Sequence, residues 1–193
     1  MTVRHTDRPA AAPLTATAAD RTTTAGAALA LLRIATGFAF LWAFLDKTFG
    51  LGYATPAERA WVAGGSPTRG FLSSVEVGPF QPAFHAIAGA AWADWLFMAG
   101  MLGVGMALVV GVALRVSAAA GVVVMLLMWL AEFPLAQLTA DGSASGSTNP
   151  VVDYHLIYAL VLVVLAATAA GDTWGLGRWW KGLPFVRRNT WAQ

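Results

Sequence analysis

Two carboxylates and an imidazole stand where apolar sequence would ordinarily carry none. Glu132 lies in the run VSAAAGVVVMLLMWLAEFPLAQL, and Asp153 and His155 open the run VVDYHLIYALVLVVLAATAA. A carboxylate partly removed from water and crowded by like charges has a raised pKa, and beside a histidine it suits proton transfer near neutral pH. Glu132, Asp153 and His155 are therefore the candidate catalytic residues. Arg33, Lys47, Arg69 and Trp129 are the candidate substrate-binding residues: three cations that attract an anion or orient a carbonyl, and an indole that walls a flat apolar ligand. No metal ligands are assigned, because His85 and His155 lack a recognisable ligand spacing.

The elements that must position these groups follow from composition. The chain has 193 residues, 58% hydrophobic and 11% charged, against roughly a quarter charged in soluble domains. That describes an all-α polytopic membrane protein. The formal charge of +2 gives no support to a nucleic-acid partner, and the bilayer is the first partner. With no cysteine, the chain has no disulfide, iron–sulfur ligation or covalently attached haem. No cofactor is bound covalently, and a quinone enters as a substrate.

Four runs reach the ~20 residues that cross about 30 Å of hydrocarbon: 26–45, 92–114, 116–138 and 151–170. Their backbone groups must be satisfied internally, so the expectation is a four-transmembrane-helix bundle. Residues 1–24, rich in Thr, Ala, Pro and Arg, are expected to be a disordered cytoplasmic tail and not a cleaved signal peptide. The membrane domain spans 25–171, and 172–193 forms a basic, Trp-rich cytoplasmic tail. With both termini in the cytoplasm, Arg4, Arg8, Arg21, Arg115, Arg178, Lys181, Arg187 and Arg188 are inside, and only Lys47, Arg59 and Arg69 are outside. The long outer loop, about 48–91, is expected to hold short interfacial helices, and 139–150 is flexible in composition.

Depth sorts the embedded charges, each of which costs about 2.5–3.5 kcal/mol at mid-bilayer. Glu132 lies roughly 24 Å along the third span at 1.5 Å per residue. It shares the outer third with Asp46, Lys47, Asp94, Asp153 and His155, while Arg33 stands nearer the inner face. Interfacial solvation or helix capping is the alternative for Asp46, Lys47, Asp94 and Asp153. An aromatic belt is the alternative for the tryptophans, and snorkelling for Arg33. Small residues recur at Ala35, Ala39 and Ala43 and at Ala99, Gly103, Ala107 and Gly111. Such stripes pack helices within one bundle or form a homo-oligomer face.

Four patches carry a family resemblance. Leu32-Arg33-Ile34-Ala35-Thr36-Gly37 with Lys47 resembles the first helix of DoxX/DoxD membrane proteins. Gly65-Ser66-Pro67-Thr68-Arg69-Gly70-Phe71-Leu72 is similar to the outer loop of the DoxD-like branch, and Asn149-Pro150-Val151-Val152-Asp153-Tyr154-His155 to the start of its fourth helix. Gly171-Asp172-Thr173-Trp174-Gly175-Leu176-Gly177 resembles the turn that follows. The resemblance covers roughly 26–180 and implies a four-helix bundle. It also implies the large subunit of a thiosulfate:quinone oxidoreductase, which joins two thiosulfates to tetrathionate and passes the electrons to quinone. No DoxA-like domain lies in these residues, so the resemblance implies a separate small DoxA-like subunit. The family equally includes membrane anchors or partners of soluble redox and detoxification enzymes. Arg33, Lys47, Asp153 and His155 are the positions that match.

Overall fold

The computed structural model describes the backbone of residues 18–193, with side chains from residue 23 onward, and every regular element in it is helical. Four helices make the body: α1 (Ala18–Phe49), then α4 (Ala91–Val110), α5 (Leu114–Glu132) and α6 (Tyr154–Ala167). Short helices α2 (Arg69–Ser73) and α3 (Gln81–Ile87), with two 3-10 turns, lie between α1 and α4. Helices α7 (Gly177–Gly182) and α8 (Pro184–Arg188) follow α6. Thr23–Phe49, Ala91–Val110 and Leu114–Glu132 are long and apolar enough to cross a membrane. Helix α6 is apolar but has 14 residues, about 21 Å at 1.5 Å per residue.

The exterior is apolar and several polar groups are inside, the reverse of a soluble protein. Leu31, Phe38, Leu96, Met106, Leu127 and Leu160 are exposed, whereas Arg33, Asp46, Asp94 and His155 are buried. Helix α1 packs mainly on α4, α4 on α5, and α5 on α6, while α1 and α6 scarcely touch. Phe40, Met101, Val104, Leu108, Met125, Leu162 and Leu165 fill the centre.

Several boundaries differ from the sequence expectation, among them the second and fourth spans, which are observed as Ala91–Val110 and Tyr154–Ala167. Of the tail expected over 1–24, residues 1–17 lie outside the described residues, and from Ala18 the chain is already helical. The third span was expected to reach Leu138, but α5 stops at Glu132. Pro134 disfavours helical backbone at Phe133, which turns left-handed at φ 43°. The segment 139–150, flexible in composition, is tied locally: Ser147 Oγ donates to the Pro134 carbonyl at 2.6 Å, and Asn149 Oδ1 accepts from Val151 and Val152 N–H.

The small-residue stripes also resolve differently. Helices α1 and α4 approach closely at Gly37 and Gly105. A β-carbon at Gly37 would lie 2.7 Å from Leu108 Cβ, and one at Gly105 would lie 2.7 Å from the Leu41 backbone nitrogen. Gly103 has nothing in reach, and Ala99 is exposed. The four-residue stripe winds off the buried face of α4, which runs through Met98, Met101, Val104, Gly105 and Leu108.

Two buried aspartates fasten the loop-capped end. Asp46 accepts from the N–H groups of Tyr53 and Ala54 at 3.2 and 3.0 Å. Asp94 Oδ1 accepts from Ser66 Oγ (2.9 Å), Thr68 N (3.0 Å) and Thr68 Oγ1 (2.6 Å). Satisfied this way, a buried carboxylate organises backbone that would otherwise lack partners.

Candidate functional site

The end of α5 and the start of α6 meet at the loop-capped end, and the meeting is locally determined. Asp153 caps α6, its Oδ1 accepting from Leu156 N–H at 3.0 Å, the position and residue type that favour helix initiation. Trp129 Nε1 donates to the Val151 carbonyl at 2.8 Å and straps the α6 lead-in to α5. That strap brings the last residue of α5, Glu132, beside the first turn of α6.

His155 sits at the centre. Its ring is 1% exposed. Nδ1 lies 2.8 Å from Asp153 Oδ2 and 3.7 Å from Glu132 Oε2. Tyr154 donates its hydroxyl to Glu132 Oε1 at 2.8 Å, and its ring lies 3.9 Å from the imidazole centroid. The far nitrogen, Nε2, is buried and has no hydrogen-bond partner. Leaving such a group unpaired costs about 1–3 kcal/mol, which a ligand oxygen would offset.

Two spaces of opposite character adjoin these residues. A polar cleft of about 480 Å³ is lined by Glu132, Asp153 and Tyr154 with Ser145, Ser147 and Asn149. A cavity of about 210 Å³ is lined by His155, Tyr154 and Tyr158 from α6, Ala39, Phe40, Ala43 and Lys47 from α1, Phe97 and Met101 from α4, and Met125 and Met128 from α5. Every long helix contributes to this cavity, and it is apolar except at His155, Lys47 and the tyrosines. Asp153 and Glu132 therefore stand on the wet side of the imidazole, and Tyr154 borders both spaces.

Lys47 is half-buried, with Nζ 6.0 Å from the Phe97 ring centroid, and it forms none of the ion pairs among the described residues. It brings one positive charge to the same cavity as His155. A cation over an aromatic face in a desolvated setting is held without losing its capacity for an oxygen ligand.

The other candidates lie apart. Arg33 is fully buried at the opposite end of the bundle. Its guanidinium donates to the carbonyls of Leu108, Val109 (2.9 Å), Ala170 (3.2 Å), Thr173 (3.3 Å) and Trp174 (2.9 Å). This fork supplies donors to the carboxyl end of α4, where backbone carbonyls lack helical partners and the dipole favours a cation. Arg69 is exposed at the start of α2 and does not line the His155 cavity. Trp129 is the strap already described and lines neither space. Glu132, placed in the outer third by residue count, ends its helix with a side chain 37% exposed.

His85 does not join His155: its Nε2 contacts the Val75 carbonyl at 2.8 Å. Among the described residues, the group able to hold a metal ion is Glu132, Asp153 and His155, whose ligand atoms lie within 4.8 Å of one another. No metal ligands were assigned from sequence. The two carboxylates with Nδ1 have the donor types of a divalent-cation site, although Asp153 Oδ1 is committed to the α6 cap. Tyr154 and Tyr158 were also not singled out, and the signal for Tyr154 was its place next to His155 in the NPVVDYH run.

Comparison of the chain with family models, with curated proteins and with solved structures returned no match.

Proposed function

We propose that this chain is the membrane subunit of a quinone-linked oxidoreductase, with the quinone head in the cavity between His155 and Lys47. In this reading α6 is a fourth membrane-crossing helix of a multi-pass cell-membrane protein. Both termini are cytoplasmic, and α2 and α3 cap the outer face. The single observation that carries the reading is His155: an imidazole engaged by carboxylates on its wet side, with an unpartnered buried nitrogen, lining an apolar cavity that also holds Lys47.

Reduction of a quinone takes two electrons and two protons, one per carbonyl oxygen. The cavity, at about 210 Å³, falls below the ~300 Å³ at which whole-ligand sites begin, and so it suits a head group. His155 Nε2 is the group that meets one carbonyl oxygen. A histidine passes a proton by taking it at one nitrogen and releasing it at the other. Asp153 fixes the orientation of the ring through Nδ1. Glu132 and Tyr154 connect that pair to the polar cleft, from which both protons are drawn. Lys47 supplies positive charge where negative charge develops on the reduced ring.

The electron donor is a reduced sulfur anion on the outer side: two thiosulfates become one tetrathionate and release two electrons. The resemblance to the DoxX/DoxD family supports this assignment and the need for a small DoxA-like subunit. Of the four matching positions, Lys47, Asp153 and His155 belong to the site, whereas Arg33 holds the opposite end of the bundle together. The test is thiosulfate-dependent quinone reduction by purified protein, with and without the coexpressed small subunit. Turnover that His155→Ala abolishes supports the reading, and absence of turnover in both preparations removes it.

A second reading has its own observation. After α6 the chain folds into α7 and α8 with Trp179, Phe185 and Trp191 exposed beside Arg178, Arg187 and Arg188. That surface suits a basic, aromatic anchor or the docking of a soluble redox or detoxification enzyme. A stoichiometric soluble protein copurifying in mild detergent, with no quinone, would favour this reading.

A further inference from the structure

A second apolar space adjoins the His155 cavity. It is a groove of about 430 Å³ between α4 and α5, roofed by α2 and α3. Lys47, Phe97 and Met128 line both the groove and the cavity, so the two spaces share a wall. The groove's flank carries Leu96 (67% exposed), Val123 (57%) and Leu127 (50%), and so it faces the surroundings of the bundle, not its centre. Its polar lining is Lys47 and Thr68, and the Thr68 hydroxyl is already spent on Asp94. What remains is a greasy channel with one ammonium group at the shared wall.

The roof is held in place. Val75 and Phe84 are buried with Ala131 of α5, and Phe71, Leu72 and Leu130 pack against them. The groove is thus a feature of the packed fold and not of a loose loop. Its shape complements an amphiphile with a polar head at Lys47 and an unbranched or isoprenoid chain running out between α4 and α5.

We infer that the α4–α5 groove holds the apolar chain of the molecule whose head group lies between Lys47 and His155. The ligand is therefore a long-chain, membrane-dissolved compound that enters sideways from the leaflet. This rests on the head-group reading above. Lipid tails are as apolar as the groove, so the chain gains little by leaving the bilayer. The groove's contribution is to direct the chain, which aligns the head with His155.

The experiment uses full-length protein in nanodiscs and two probes: a decyl-substituted benzoquinone with a diazirine at the chain end, and the same head without the chain. Photolabelling is expected on peptides 91–110 and 114–132 at groove positions such as Leu96, Val123 and Leu127. Unlabelled decyl-benzoquinone should compete it away. Gly100→Leu should lower that labelling at least tenfold. A β-carbon at Gly100 would lie 3.6 Å from Val124 Cγ2, an ordinary contact, so the added bulk goes into the groove and not into backbone. Ala120→Leu, from the facing helix, repeats the block should the first variant fold poorly. Labelling spread evenly over the lipid-facing surface, or on α1 and α6, or unchanged in both variants, overturns the groove assignment. The chainless head, compared between wild type and His155→Ala, reports the underlying reading separately. If it binds in a His155-dependent way, only the groove has failed. If neither compound does, the head-group site has failed too.

Discussion

His155 Nδ1 and Asp153 Oδ2 are 2.8 Å apart, and the aspartate's other oxygen caps the helix on which that histidine stands. One carboxylate therefore starts α6 and aims the imidazole. The two duties separate chemically. Asparagine caps as well as aspartate but carries no charge, whereas alanine does neither. Asp153→Asn is expected to keep thermal stability within a few tenths of a kcal/mol of wild type and to lower quinone reduction roughly 10- to 100-fold. Asp153→Ala should lose about 1 kcal/mol as well. Thermal unfolding and turnover on the same preparations check this. Equal melting losses in both variants would mean that the charge, not the cap, holds the helix.

Arg33 should behave as a structural residue. Its guanidinium meets carbonyls on α4 and on the segment after α6. Hydrogen bonds from a charged donor contribute about 1.5–3 kcal/mol each. Arg33→Ala is therefore expected to lose at least about 3 kcal/mol, seen as lost monodisperse protein in detergent. Arg33→Lys should rescue it poorly, because an ammonium cannot fork across several carbonyls. Wild-type stability with selectively lost ligand binding would return Arg33 to the substrate-binding set.

Asp94 is expected to hold the roof of the apolar groove. It accepts three hydrogen bonds from Ser66 and Thr68. Asp94→Ala leaves those donors unpaired and should raise hydrogen exchange over 64–73 while α4 and α5 keep their protection. Exchange unchanged in that segment would show that the Phe84 and Val75 cluster alone fastens the roof.

The pH dependence of the 138–144 turn has a defined sign. The hydroxyls of Thr139 and Ser143 and the Ser143 N–H donate to the Asp141 carboxylate and pull its pKa down to about 2. A depressed carboxylate contributes stability that is fully present above its unfolded value, about 3.9, and is lost as pH falls through the folded one. Amide protection in this turn should hold above about pH 4 and fade toward pH 2. Asp141→Asn should remove that step. A turn that opens in the same way in both proteins would contradict it.

Much of this arrangement was legible in the sequence because it follows from local rules. Apolar run lengths gave three helices long enough to cross a membrane and the shorter apolar α6, and the carboxylates and imidazole stood out against apolar sequence. Asp153 was read as near a helix start, and it is the α6 cap. What was not legible depends on partners across the bundle. Helical period places Gly105 on a face but does not say that Leu41 lies against it. Arg33 looked anomalous because the carbonyls it serves lie at least 75 residues away in sequence. Counting residues put Glu132 inside a span that runs on to Leu138, yet the left-handed turn at Phe133 before Pro134 makes it a helix end beside a cleft. The apolar residues after it disguised that break.

In the proposed site His155 Nε2 meets the head of a quinone. The most direct measurement is the ¹⁵N spectrum of histidine-labelled protein in bilayers, with and without decyl-benzoquinone. Of the three histidines, the His155 signals are identified by their loss in His155→Gln. The expected result is a shift of the His155 Nε2 resonance on addition of the quinone, with the His85 signals unmoved. A His155 Nε2 resonance that stays where it was, at quinone concentrations that saturate turnover, would contradict the account.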